Sequence, residues 1–309
     1  MKEIYVNLKR FDVPVKFGGI CPHDDPAEWM HRIVEQTVRL GLGRIEDVSI
    51  AYFLPESLLI PAMETLRKYK APEIGRISLG CQGVYREDVV SGGNFGAFTT
   101  NRPAAAMQAL GCTWAIIGHS EERRDKLGML AAYDENIGSD ADLYRKAAKT
   151  VDLTLNMEVK AALSRDLNVL FCVGETAEEK GSDIPAEYQP RVKNVLREQL
   201  LSGLMDIARS SKGRKIAIAY EPIWAIGPGK TPPGGDYVDF VSGYIKEICQ
   251  ENIGIDITVV YGGGLKEENA AEMAAVKNLD GGLVALTKFT PPIAFDVNSL
   301  HNIIRAYIR

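Results

Sequence analysis

The chain has 309 residues, of which 46% are hydrophobic and 25% charged, enough apolar content for a large α/β core and too much for a disordered state. A net charge of -5 and a pI near 5.6 provide no basic field for nucleic acid or anionic lipid. The expected partner is a small metabolite, with any phosphate bound locally. No apolar run approaches the ~20 residues of a membrane span, and the opening MKEIYVNLKRF lacks the pattern of a secretory signal, so a cytoplasmic location is expected. Cys21, Cys81, Cys112, Cys172 and Cys249 are scattered, which predicts buried reduced thiols. No Cys/His cluster supports a metal site.

In chain order, the first predicted strand is Ile4–Leu8, with Asn7 and Lys9 at its carboxyl end. A helical pattern at Ala27–Leu40, a strand at Val48–Phe53, a helix at Glu56–Lys70 and a strand at Arg76–Gln82 follow. The fourth strand, Thr113–Gly118, delivers His119, Ser120 and Glu121. Leu127–Arg165 then reads as an insertion with two helical patterns, around Asp140–Val151 and around Met157–Leu163. After a strand at Val169–Gly174, the Gly/Pro-bearing Glu179–Pro190 reads as a second insertion, ahead of a helix at Arg191–Ser210. The sixth strand is Lys215–Glu221, followed by a helix at Tyr237–Cys249, strands at Asp256–Gly263 and Gly281–Leu286, and a last helix at Asn298–Ile308.

Eight such units predict one (β/α)8 barrel domain over residues 1–309; its usual size of about 250 residues places the excess in insertions, the largest between the fourth and fifth strands. A doubly wound open sheet produces similar alternation. The polar residues decide between them: they gather at the carboxyl ends of strands, the rim on which barrel enzymes build their sites.

Glu221 stands at the end of a short, apolar, β-branched run, and Pro222 withholds the next ladder donor. A carboxylate at a strand mouth, beneath Ile223, Trp224 and Ile226, is placed to be desolvated and to act as a base that takes and returns a proton. Read alone, Glu221 is equally a strand-end charge, Lys9 a solvated amine and His119 a structural histidine.

Three segments occur in order, VNLK at Val6–Lys9, WAIIGHSEERR at Trp114–Arg124 and AYEPIWAIGPGK at Ala219–Lys230. With GAFT at Gly96–Thr99, FCVGE at Phe171–Glu175 and YGGG at Tyr261–Gly264, the chain resembles the triosephosphate isomerase family. That resemblance implies a cofactor-free interconversion of an aldose and a ketose phosphate through an enediolate. It implies Glu221 as base, His119 as electrophile, Lys9 as the charge that stabilises the oxyanion, Asn7 as an amide donor, and Glu121 as the partner that keeps Lys9 charged. Ser120, Gly227, Gly263 and Gly264 are the implied substrate contacts, with Ala285 and Leu286 at the places of the family's phosphate-binding glycine pair. The segment after Glu221 matches a lid, and Pro228 and Pro232 are expected to stiffen it. A homodimer braced through the GAFT loop is also implied.

The departures lie in the phosphate cradle. Gly264 replaces the serine of the family's YGGS, and the side chains of Ala285 and Leu286 occupy space that glycine leaves empty. Thr287 and Lys288 are candidate replacement donors. The alternatives are an isomerase of a related sugar phosphate and a barrel that binds a ligand without turning it over.

Overall fold

The computed structural model describes residues 1–208, 211, 213–227 and 229–308. Pro228 therefore lies outside the described residues. Eight parallel strands close into a barrel in sequence order: β1 (Lys2–Asn7), β2 (Val48–Leu54), β3 (Ile77–Cys81), β4 (Trp114–Ile117), β5 (Asn168–Val173), β6 (Ile216–Tyr220), β7 (Thr258–Tyr261) and β8 (Gly281–Val284). The helices are α1 (Pro26–Arg39), α2 (Glu56–Leu66), α3 (Ala71–Ile74), α4 (Ala104–Ala109), α5 (Ser120–Tyr133) and α6 (Ala141–Ser164). They continue with α7 (Ala177–Lys180), α8 (Pro185–Gly203), α9 (Gly235–Ile248), α10 (Glu267–Ala275) and α11 (Val297–Tyr307). Closure occurs where β8 meets β1, with Glu3 opposite Gly281. A Cβ on Gly281 would lie 1.8 Å from the Glu3 carbonyl oxygen, so glycine is required there.

Alternation along each strand divides the core in two. Tyr5, Phe53, Trp114, Leu170, Ala217 and Ala219 belong to one cluster inside the barrel, while Ile4, Val6, Ile216, Ile218 and Tyr220 belong to the larger layer between strands and helices. The same parity fixes the site. Asn7 follows Tyr5 by two residues on β1, and Glu221 follows Ala217 and Ala219, so both continue the inward-facing series.

The large insertion lies between β4 and β5, as expected, but its second part is one helix, α6, of 24 residues rather than two. The apolar period lapses at Asp152 and Asn156, yet both are buried and paired. Arg123 Nη1 stands 2.5 Å from Asp152 Oδ1. Asn156 Nδ2 donates to the carbonyls of Gly203 and Met205, at 3.0 Å each. Polar residues satisfied by distant partners keep the helix packed through the break. The second insertion is also shorter than expected, because α8 already starts at Pro185 and runs through Pro190. Proline suits a helix start, and Pro190 forgoes one bond near that start. All five cysteines are buried and unbridged. No helix among the described residues is long and apolar enough to cross a membrane.

Candidate active site

Four strand ends supply the side chains. On β1, Asn7 is 5% exposed, and its Oδ1 accepts from the Lys9 amide at 3.0 Å and from Gln82 Nε2 at 3.1 Å. Lys9 occupies the left-handed region at φ 43°, a conformation a lysine adopts only when its surroundings impose it. Asn7 and Gln82 hold it from its two ends, at the Lys9 amide and the Lys9 carbonyl. Gln82 Nε2 reaches the Lys9 carbonyl at 2.9 Å and the Phe53 carbonyl at 3.3 Å, tying β1 and β2 to the end of β3.

The Lys9 ammonium stands 3.0 Å from Glu121 Oε1. Partial burial pushes the Glu121 carboxyl up, but the Lys9 charge, helped by His119 and Arg124, outweighs it and holds the group below the usual glutamate range. Glu121 thus remains ionised beside an ammonium that it orients.

His119 is the N-cap of α5, and its Nδ1 accepts from the Glu121 amide at 3.3 Å. An Nδ1 that accepts leaves the ring proton on Nε2, which faces Glu221 Oε1 at 3.1 Å. The other Glu221 oxygen accepts from the Ser120 amide at 2.9 Å. Glu221 is only 3% exposed. A buried carboxylate with a donor on each oxygen is satisfied while it waits, and displacing either donor frees a lone pair for a proton. The turn carrying His119 is held from behind. Arg123 Nε donates to the Gly118 carbonyl at 2.8 Å, and Glu122 Oε2 accepts from the Gly118 amide at 2.7 Å.

Behind that turn, half-buried Glu122 and Lys126 meet buried Glu158, with Lys126 Nζ at 2.5 Å from Glu122 Oε1 and 3.0 Å from Glu158 Oε1. Burial, and then the neighbouring Glu122 charge, push the Glu158 carboxyl up to about 8. Glu122 is also pushed up by burial, but Lys126 prevails and holds it below its ordinary value.

Next to Trp224, Glu175 is fully buried, and its Oε1 accepts from Trp224 Nε1 at 2.7 Å, Tyr237 OH at 2.8 Å and Tyr220 OH at 2.9 Å. Lys180 Nζ sits 4.2 Å from the centre of the Trp224 ring. Glu175 of the FCVGE segment therefore ties the end of β5 to Trp224, Tyr220 and Tyr237.

Gly227 and Gly264 have φ 120° and 100°, and a Cβ at either would meet open space. Their backbone conformation, rather than crowding, calls for glycine. Gly263 is different, since a Cβ there would come within 2.4 Å of the Tyr261 hydroxyl and 2.7 Å of Pro222 Cγ. Gly262, which the sequence did not single out, backs Glu221, because its Cβ would sit 3.0 Å from Glu221 Cγ. Ala285 and Leu286 follow β8 and are half-buried. Thr287 is not a free donor: its hydroxyl donates to the Asp296 carbonyl at 3.1 Å and accepts from the Asp296 amide at 2.7 Å. Lys288 is exposed and bridges Ala294 through its backbone.

The structure brings Asn7, Lys9, His119, Ser120, Glu121 and Glu221 into one chain of contacts. Gly227, Gly263, Gly264, Ala285 and Leu286 stand on the β6, β7 and β8 ends, outside those hydrogen bonds. Gln82 is the contributor that sequence missed, since a glutamine at a strand end carries no local signal.

The triosephosphate isomerase family model matches residues 36–304. The chain belongs to the triosephosphate isomerase family. The match begins after β1, so Asn7 and Lys9 precede it. The triosephosphate isomerase of Carboxydothermus hydrogenoformans is 33% identical over an alignment covering 90% of each chain. That of Alkaliphilus metalliredigens is 31% identical over 82% of this chain and 89% of its own. The crystal structure of the Bartonella henselae triosephosphate isomerase superposes with a TM-score of 0.65 over 98% of this chain and 99% of that one. At 24% identity this last likeness shows the shared fold. The family is one of isomerases with a closed eight-stranded barrel, and this chain has that barrel.

Proposed function

We propose that the chain is a cytoplasmic, cofactor-independent isomerase of a single barrel domain that interconverts glyceraldehyde 3-phosphate and dihydroxyacetone phosphate. The observation that carries this reading is the placement of Glu221 between His119 Nε2 and the Ser120 amide, with Lys9 and Glu121 beside them. A substrate carbonyl oxygen accepting the Nε2 proton takes the donor that Glu221 holds at rest. The freed carboxylate removes a proton from the carbon next to that carbonyl and returns it to the neighbouring carbon, while His119 passes the hydroxyl proton from one oxygen to the other, so that the hydroxyl becomes the new carbonyl and the old carbonyl the new hydroxyl. The negative charge that develops on oxygen faces the Lys9 ammonium, the His119 N–H and the Asn7 amide. Ser120, Gly227, Gly263 and Gly264, with Ala285 and Leu286, bound the substrate. The segment from Ile223 onward excludes water, which protects an enediolate from losing phosphate.

A homodimer is part of the proposal. Val15 and Phe17 after β1, and Val90 and Phe95 between β3 and α4, are exposed, Phe95 at 84%. Apolar side chains of this size on the two connections that flank Lys9 and GAFT suit a covered surface, and light scattering of the purified chain reads its mass directly. For the activity, the test is a coupled assay with glyceraldehyde 3-phosphate, compared between the chain and its Glu221→Asp variant. Turnover that collapses in the variant is expected; a purified, folded chain without triose phosphate turnover would end the reading.

A further inference from the structure

The helices of the large insertion enclose a cavity of about 790 Å³ that opens on the same rim. Lys9, Ser120 and Glu121 form one wall, and Ile223 and Ile226 at the start of the lid form another. His119 and Glu221 do not line it, so it is not the hollow in which the proton is moved. Its volume falls in the range in which proteins hold whole small molecules, and a three-carbon substrate held by Lys9, His119 and Glu221 leaves it unused.

The lining has a definite chemistry. Of its cations, Arg123 is paired with Asp152, Arg145 with Asp142 and Lys9 with Glu121. Arg124, Lys146 and Lys149 also line it, and among the described residues no carboxylate lies within ion-pair distance of them. Glu179 and Glu198 also line the cavity without a cation against them, but Arg124, Lys146 and Lys149 are grouped on α5 and α6 and make that wall the cationic one, suited to an anion; guanidinium and ammonium groups are the side chains that grip phosphate. Across from them, Glu198 and Asn194 on α8 offer acceptors and an amide of the kind that hydroxyl groups seek. Leu127, Val151 and Val195 provide an apolar floor for a carbon chain.

We propose that this cavity is a second ligand site, and that it takes a sugar phosphate longer than a triose, with its anion on Arg124, Lys146 and Lys149 and its hydroxyls toward Glu198 and Asn194. The ligand is either a longer substrate whose far end rests in the cavity or a separate effector. Occupancy is felt at the catalytic group through two shared walls, Glu121, which orients Lys9, and Ile226 of the lid. Only this coupling rests on the catalytic reading above; binding does not.

The test is calorimetric titration of the full chain with 6-phosphogluconate, a long sugar phosphate, compared with the variants Lys146→Glu/Lys149→Glu and Ala148→Trp. The lysines are exposed, so their reversal leaves the core untouched, and the tryptophan fills the cavity from a half-buried position. Binding to the chain that weakens about tenfold or more in both variants is expected, since a charge-assisted contact contributes about 1.5–3 kcal/mol and about 1.4 kcal/mol is a tenfold change. No binding, or equal binding in all three proteins, overturns the proposal. Competition with triose phosphate identifies the longer-substrate mode, and simultaneous binding that alters kcat or KM identifies the effector; either supports the site. Triose turnover is measured on the same preparations. Binding without turnover sinks the catalytic reading alone, and turnover without binding sinks this inference alone.

Discussion

Nε2 of His119, at the end of β4, stands 3.1 Å from Oε1 of Glu221, at the end of β6. The proposed electrophile and the proposed base thus occupy each other's hydrogen-bonding capacity until a substrate carbonyl separates them. Glu221 is buried, and each of its oxygens has one donor against it, His119 Nε2 and the Ser120 amide.

Shortening Glu221, the proposed base, by one methylene withdraws its oxygens from both His119 and the Ser120 amide. Glu221→Asp is expected to lower kcat on the order of 10²–10⁴-fold, the contribution of a positioned base, with KM little changed. Steady-state kinetics with triose phosphate reads the split, and a variant as fast as the parent would remove Glu221 from the chemistry.

Gln82 supports three carbonyl-type acceptors, on Asn7, Lys9 and Phe53. Gln82→Leu takes the donor from the Lys9 carbonyl, while Asn7 Oδ1 keeps the Lys9 amide and the Phe53 carbonyl keeps the Leu8 amide; the cost is about 1–3 kcal/mol, and the hold on Lys9 at φ 43° is loosened. The melting temperature is expected to fall by a few degrees. Misplacing the Lys9 ammonium, the proposed oxyanion partner, should also reduce kcat/KM by up to ~100-fold. Thermal unfolding and kinetics on the same sample separate the effects, and unchanged kinetics would reduce Gln82 to a purely structural role.

The Glu158 proton is held more tightly by the folded chain than by the unfolded one, because burial disfavours the carboxylate. Its contribution to stability is therefore complete below the ordinary glutamate value of 4.5 and is lost as pH rises toward about 8. Glu122 works in the opposite sense: Lys126 holds it low, so its contribution is present above 4.5 and is lost as pH falls. Glu158→Gln removes the first dependence. The variant's melting temperature should decline less than the parent's as pH rises from the first of these values to the second. Parallel melting curves across that interval would refute the assignment of the proton to Glu158.

A Cβ on Gly174 would lie 1.8 Å from the Glu221 carbonyl oxygen, which is backbone and cannot yield. Gly174→Ala is expected to cost more than about 4 kcal/mol and to leave little soluble chain. Gly128, inside α5, has open space at its Cβ, and Gly128→Ala should raise stability by about 0.5–1 kcal/mol. Denaturant unfolding checks both, and a Gly174→Ala variant of normal stability would contradict the close β5–β6 approach.

The sequence by itself determined the number and order of the strands, because each is a short apolar run whose burial pattern is local. It also determined which strand ends carry Asn7, Lys9, His119, Glu121 and Glu221, because chemistry-bearing residues there interrupt apolar runs. Only the tertiary structure decided what these groups touch. Gln82 braces Lys9 across three strands, Asp152 and Asn156 keep α6 whole by pairing with residues outside it, and the Thr287 hydroxyl is already committed to Asp296. The cavity between the insertion and α8 was equally invisible. Periodicity and propensity act over a few neighbouring residues, whereas a buried polar group is stabilised by whichever partner the fold brings within hydrogen-bond distance, and that partner has no fixed separation along the chain.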